Sequence, residues 1–117
     1  MIINISDGAV VGETSSVMFT MLQEGPVSAL VILKNSGVNV ISYRIQEYSG
    51  SAWVDLGASG SDYYTTLSAG EVRSFKLTST YPKVQLLAGA SGGAYLEFAI
   101  SRFWNRSAGG AIPILAL

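Results

Sequence analysis

The sequence predicts an all-β protein: one antiparallel β-sandwich, immunoglobulin-like or jelly-roll-like, of about seven to nine strands with little or no helix. Three observations predict it. Apolar and polar residues alternate with a period of two, not 3.6. Clusters of Gly and Ser interrupt these runs at intervals of about 8–12 residues, the spacing of a sandwich or barrel. The chain has 117 residues, enough for one core, so 1–117 is read as a single domain.

Each element follows in order. Residues 1–14 carry no clean periodicity and are a candidate arm outside the core. "SSVMFTMLQEG" reads two ways. As a helix it opens at Ser15 or Ser16, closes at Gly25 and aligns Val17, Met21 and Leu22 on one stripe. As a strand it puts Val17, Phe19 and Met21 on one face, and its Phe, Val and Thr favour that reading. "ALVILK" is a short apolar run that suits a strand covered on both sides. In "VISYRIQEY", Ile41, Tyr43 and Ile45 alternate with Ser42, Arg44 and Gln46. One face is apolar and the other polar, as in a half-buried strand. In "EVRSFKLTST", Phe75 and Leu77 alternate with Ser74, Lys76 and Thr78. "KVQLLA" again suits two-sided cover. In "YLEFAIS", Leu96, Phe98 and Ile100 alternate with Glu97, Ala99 and Ser101. "NSG", "SGS", "GASGS", "SAG" and "GASGG" stand between the runs, where Gly permits positive φ and tight reversals. Residues 107–117 are the second candidate arm.

Composition bounds the function. Hydrophobic residues make up 49% and charged residues 13%, about half the usual ~25% charged share. A small domain with so few charges suits a surface that is buried against neighbours. Net charge is −1, and the seven basic residues stand singly. There is no phosphate-tracking stripe, so no nucleic-acid partner is expected. No apolar run reaches the ~20 residues of a membrane helix, so no membrane partner is expected. The start, "MIINISDGAVVGE", lacks the basic and long apolar regions of a signal peptide. Cysteine is absent, which excludes a disulfide framework and is compatible with a reducing compartment.

Histidine is absent too. Ser-His-Asp triads, Cys nucleophiles and Cys/His zinc sites are therefore excluded. The eight acids are scattered and none follows the spacing of a calcium loop. A carboxylate pair of the glycosidase kind needs only spatial proximity, but regularly placed, solvent-facing acids are the simpler account. "GASGG" is followed by no Lys-Ser/Thr and no helix pattern, so it reads as a hairpin loop and not a phosphate cradle. No enzyme, catalytic residue, metal or cofactor is expected.

The aromatics bear on binding. Trp53 lies just past a hairpin turn, and Trp104 follows Phe103 at the end of a strand. Tyr63 and Tyr64 are adjacent, so in a strand they face opposite ways. Exposed rings on a sandwich can stack on sugars; the reading preferred here assigns them to the core or to a subunit contact.

The succession "LKNSGVNVISYRIQEYSGSAWVDL", "LSAGEVRSFKL" and "YPKVQLLAGASGGAYLEF" resembles small β-sandwich virion proteins of tailed bacteriophages, particularly capsid decoration (cement) proteins. The resemblance covers about Ala29 to Phe103 and is one of pattern, with no diagnostic motif, so it transfers no site residues. It implies a non-enzymatic structural protein, made in the host cytoplasm and carried on the virion. Such a protein binds the major capsid protein on the outside of the head, often as a homo-oligomer, with a trimer the most plausible form. A tail-tip or fibre module that binds host surface glycans is the alternative.

The ending "SAGGAIPILAL" has no charge after Arg106. Gly109 and Gly110 loosen the chain, Pro113 blocks a helix, and Ile112, Ile114 and Leu115 supply apolar side chains. These residues, with Trp53 and Trp104, are the candidate interface. A last strand closing the chain's own sheet is the competing reading, with Pro113 at an edge.

Overall fold

The computed structural model describes residues 2–22 and 27–103, with side chains for 6–22 and 27–101. Among the described residues nine strands run in order: β1 (Ile2–Val11), β2 (Ser16–Leu22), β3 (Val27–Asn35), β4 (Ile41–Tyr48), β5 (Trp53–Asp55), β6 (Tyr64–Leu67), β7 (Val72–Ser79), β8 (Lys83–Gly89) and β9 (Ala94–Phe103). No helix occurs among the described residues. Every pairing is antiparallel. The all-β sandwich expected from period-two patterning is the fold observed.

The strands form two sheets. One has the order β1-β9-β3-β7; the other runs β2-β8-β4, with β5 and β6 both pairing to the far side of β4. Apart from β4–β5 and β5–β6, each described connection and each pair of consecutive strands crosses from one sheet to the other. This interleaving is that of a double-sheet jelly roll, which decides between the two sandwich types expected from sequence.

Two sequence readings are corrected by this topology, and one left open between strand and helix is decided. The stretch read as a candidate arm, residues 1–14, contains β1, paired with β9 from Ile2↔Phe103 to Val11↔Ala94 and ending with Val11 in the core. Its small and polar residues, Ser6 to Ala9, hid the period. The stretch 15–25 is strand β2 across Ser16–Leu22, the reading its Phe, Val and Thr favour; a register shift between Val17 and Phe19 interrupts its alternation. "GASGG" does not close a hairpin within a sheet, because β8 and β9 lie in different sheets. Its Gly92 and Gly93 take φ of 84° and 83°, in the region where only glycine is unstrained.

The core fills the space between the inner faces. Val31, Leu33, Leu77, Leu96 and Ile100 come from one sheet, and Met21, Ile41, Ile45, Val84 and Leu86 from the other. Ring pairs Phe19–Phe98 (4.8 Å) and Tyr63–Phe75 (5.7 Å) bridge the two sheets, in the range where aromatic pairs add to simple burial. One polar side chain is fully buried at the end of this space. The Asn35 amide donates to the carbonyls of Asn39 (2.7 Å) and Leu67 (2.9 Å), and its carbonyl oxygen accepts from Gly37 N–H (2.9 Å). It ties the end of β3, the β3–β4 loop and the end of β6 together.

Candidate functional site

The two outer faces differ in where their apolar groups lie: on the sheet of β2, Leu22 and Val17 are exposed on the edge strand itself, whereas on the other sheet Leu30 and Ile32 lie on β3, between β9 and β7. On the sheet of β2, β8, β4, β5 and β6, the register places cross-strand rows of polar and aromatic groups. In the first row Lys83, Tyr48 and Trp53 meet. The rings stand 5.2 Å apart at 56°, and Lys83 Nζ sits 5.1 Å from the Tyr48 centroid and 5.6 Å from that of Trp53. In the second row Gln85 donates to Gln46 (2.9 Å), which donates to Asp55 (3.1 Å). Below them Arg44 lies 3.6 Å from Asp55 and over the Tyr64 ring at 5.6 Å. These groups are partnered within the face. Trp53 is therefore half-buried in a local cluster, and its ring and that of Tyr48 are tilted, with an ammonium against both. They do not form a flat platform for a sugar ring.

The other outer face is built differently. On β3, Leu30 is 40% and Ile32 38% exposed. Register puts Ile32 beside Ala99 on one side and Ser74 on the other, and Leu30 between Ser101 and Lys76. Lys34 and Glu97 flank them on the next row. The run "ALVILK" is thus covered on one side only, contrary to the two-sided reading. An uninterrupted apolar run gives no hint of which residues face out, so sequence reasoning missed this stripe. "KVQLLA" fits two-sided cover better, with Val84, Gln85 and Leu86 all buried.

The strongest polar network is a structural clamp. Tyr43 OH donates to the Asp62 carbonyl (2.6 Å) and accepts from Arg73 Nη1 (3.3 Å). Arg73 also donates to the Thr66 carbonyl (2.8 Å) and pairs with Glu71 (2.6 Å). Glu71 accepts from Ser68 N–H (2.8 Å). That backbone bond, with the Arg73 charge adding to it, holds the Glu71 carboxyl below its ordinary range, while burial pushes the Tyr43 phenol up. The sign for Glu71 follows. A carboxyl depressed in the folded state contributes stability that is full above its unfolded value of 4.5 and is lost as pH falls through the folded one. Glu71→Gln is expected to lower the thermal midpoint at pH 7 and to leave a smaller drop than wild type on acidification to roughly pH 3. Equal drops in the two proteins, read by thermal melts, would refute the coupling.

Two neighbouring depressions, about 340 and 220 Å³, share Ser15 and Ser42. Glu13 is the one carboxylate in the first, and the second has none; a smaller depression of about 150 Å³ is lined by two acids, Asp7 and Glu97, beside Lys34 and Ile32. Among the described residues no group of three His, Cys, Asp or Glu side chains could hold a metal ion, and no helix is long and apolar enough to cross a membrane. Of the expected interface residues, the structure places Trp53. Trp104, Ile112, Pro113, Ile114 and Leu115 lie outside the described residues.

No protein family matches this chain, and no curated protein is similar to it in sequence. Among the solved structures similar in shape are these two. One is described as Bacillus endospore appendages that form a family of disulfide-linked pili: TM-score 0.55, 14% identity, 87% of this chain and 86% of that one. At that identity the likeness extends to the fold, and the cysteine-free chain described here has no residue for a disulfide link. The other is infectious bursal disease virus, Gx strain, at TM-score 0.40 and 12% identity, where 86% of this chain spans 31% of that one.

Proposed function

We propose that this chain is a non-enzymatic structural protein of a bacteriophage virion, a homo-oligomer that binds the major capsid protein on the outside of the head and stabilises the shell. The observation that carries this reading is the contrast between the outer faces. One has a centre of polar and aromatic cross-strand pairs, with its exposed apolar residues, Val17 and Leu22, on the edge strand β2. The other presents Leu30 and Ile32 beside Ala99, rimmed by Lys34, Lys76 and Glu97. An apolar centre with a polar rim is the anatomy of a protein contact. The jelly roll is also an architecture used by viral capsid domains, an analogy of fold alone. The pattern resemblance to decoration proteins supplies the virion. In this reading Ile112, Pro113, Ile114 and Leu115 add apolar contacts to the shell or to a neighbouring copy.

Quantitative mass spectrometry of purified particles tests it. The expected result is a copy number comparable with that of the shell subunit, with the protein lost when heads are removed. Absence from particles would overturn the reading. A few copies that travel with tails would favour the glycan-binding alternative.

A further inference from the structure

We propose that the free edge of β1 is a self-pairing surface, on which a second copy adds its own β1 antiparallel across a twofold axis. The proposal rests on edge geometry and not on the virion reading.

A sheet edge offers unpaired N–H and C=O groups to any other strand, and folded proteins protect such edges. Among the described residues, three of the four edges are protected. On β7, the Tyr63 hydroxyl donates to the Lys76 carbonyl (2.8 Å) and accepts from Thr78 N–H (3.3 Å). It thereby occupies two groups that face away from β3. Strand β2 is bulged between Val17 and Phe19. Strands β5 and β6, which share the far side of β4, have three and four residues. Strand β1 is the exception. It runs ten residues in unbroken register with β9, without proline, lysine or arginine.

Which of its groups are free follows from alternation. The Tyr95 carbonyl accepts from Ser36 N–H on the β3 side (2.9 Å). The N–H and C=O of one residue point the same way in a strand, and the direction alternates along it. Ala94, Leu96, Phe98 and Ile100 therefore face β1, and their partners are Val11, Ala9, Asp7 and Ile5. Ile2, Asn4, Ser6, Gly8 and Val10 are left facing outward. The Gly8 N–H confirms the direction: it turns to Asp7 Oδ1 (2.8 Å) and not to β9.

The outward set is self-complementary. With Ser6 opposite Ser6 of the second copy, Asn4 meets Gly8 and Ile2 meets Val10, so each outward residue faces an outward residue. Asp7 then opposes Ile5. The register one step along sets Asp7 against Asp7, and like charges directly opposite are destabilising. The twofold also closes the assembly. Once the β1 edges are joined, the edges that remain are the three protected ones. Asp7, the one charge on the strand, competes for Gly8 N–H and so tunes the pairing. This geometry gives an even-numbered assembly in place of the expected trimer.

Sedimentation of the full chain over a range of concentrations tests it, beside thermal melts. Wild type is expected to dimerise reversibly. Ser6→Pro removes an N–H that bonds none of the described residues, and it is expected to weaken association at least tenfold with the melt little changed. Asn4→Pro, at another outward position, does the same and decides the matter if Ser6→Pro fails to fold. Asp7→Ala, which frees Gly8 N–H, tightens association. A wild type that stays monomeric at about 1 mM, or a folded proline variant that dimerises as tightly as wild type, overturns the proposal. So does an edge covered by another segment of the same chain or by a different protein, read as amide protection at Ser6 and Val10 in the monomer.

Discussion

Replacing Asn35 with leucine is expected to destabilise the sandwich by about 3–5 kcal/mol, enough to bring a domain of ordinary stability close to unfolding. Leucine is of similar size, so the loss is not one of volume. The side chain is fully buried, and its three bonds go to backbone groups of Asn39, Leu67 and Gly37. Removing it leaves two carbonyls and one N–H without a partner, and each such group costs about 1–3 kcal/mol when it stays dry. The lower part of that range applies, because the Asn39 end is partly exposed and water can replace some of the loss. Asn35→Asp separates hydrogen bonding from packing. It keeps the acceptor for Gly37 but sets a carboxylate against two carbonyls, so it is expected to be at least as damaging at neutral pH. Urea denaturation of both variants checks this. A leucine variant within about 1 kcal/mol of wild type would show that the loop rearranges around the change.

Asn35 also marks what was legible in the sequence. "LKNSG" read as a strand end and turn, and it is one. The β4, β7 and β9 alternations were legible because each strand has one dry and one wet face, which writes the period into the side chains. Where that condition fails, the reading fails. Strand β1 is an edge strand with Ser6, Asp7 and Gly8 at its centre, so burial leaves little mark on it. Strand β2 carries a bulge that shifts its phase, and its strand character was legible only through its Phe, Val and Thr. "ALVILK" is apolar on both faces for different reasons, Val31 and Leu33 for the core and Leu30 and Ile32 for the outside. Trp53 turned out to be held by Tyr48 and Lys83, which lie five residues before it and thirty after it. No local pattern reports such a cluster.

The last expected result separates the two sides of β3 with neighbouring residues. Leu33→Ala is expected to cost about 2–5 kcal/mol, because Leu33 is wholly enclosed and its removal leaves a cavity between the sheets. Ile32→Ala, one residue away, is expected to cost about 1 kcal/mol or less, chiefly a β-branched residue's strand preference. The contrast follows from alternation alone, since a shift of one position moves a side chain from the core to the outer face. Function is expected to follow the opposite order. If the outer stripe meets a shell, Ile32→Asp places a charge in an apolar contact and abolishes shell binding while the melt stays near that of wild type. Leu33→Ala weakens binding only as far as it unfolds the protein. Thermal melts and co-sedimentation with decoration-free heads measure both axes. An Ile32→Asp variant that is folded and still binds would move the contact to another surface. An Ile32→Ala variant as unstable as Leu33→Ala would mean that the outer face is packed against something in the protein itself, and the stripe would lose its claim to be an interface.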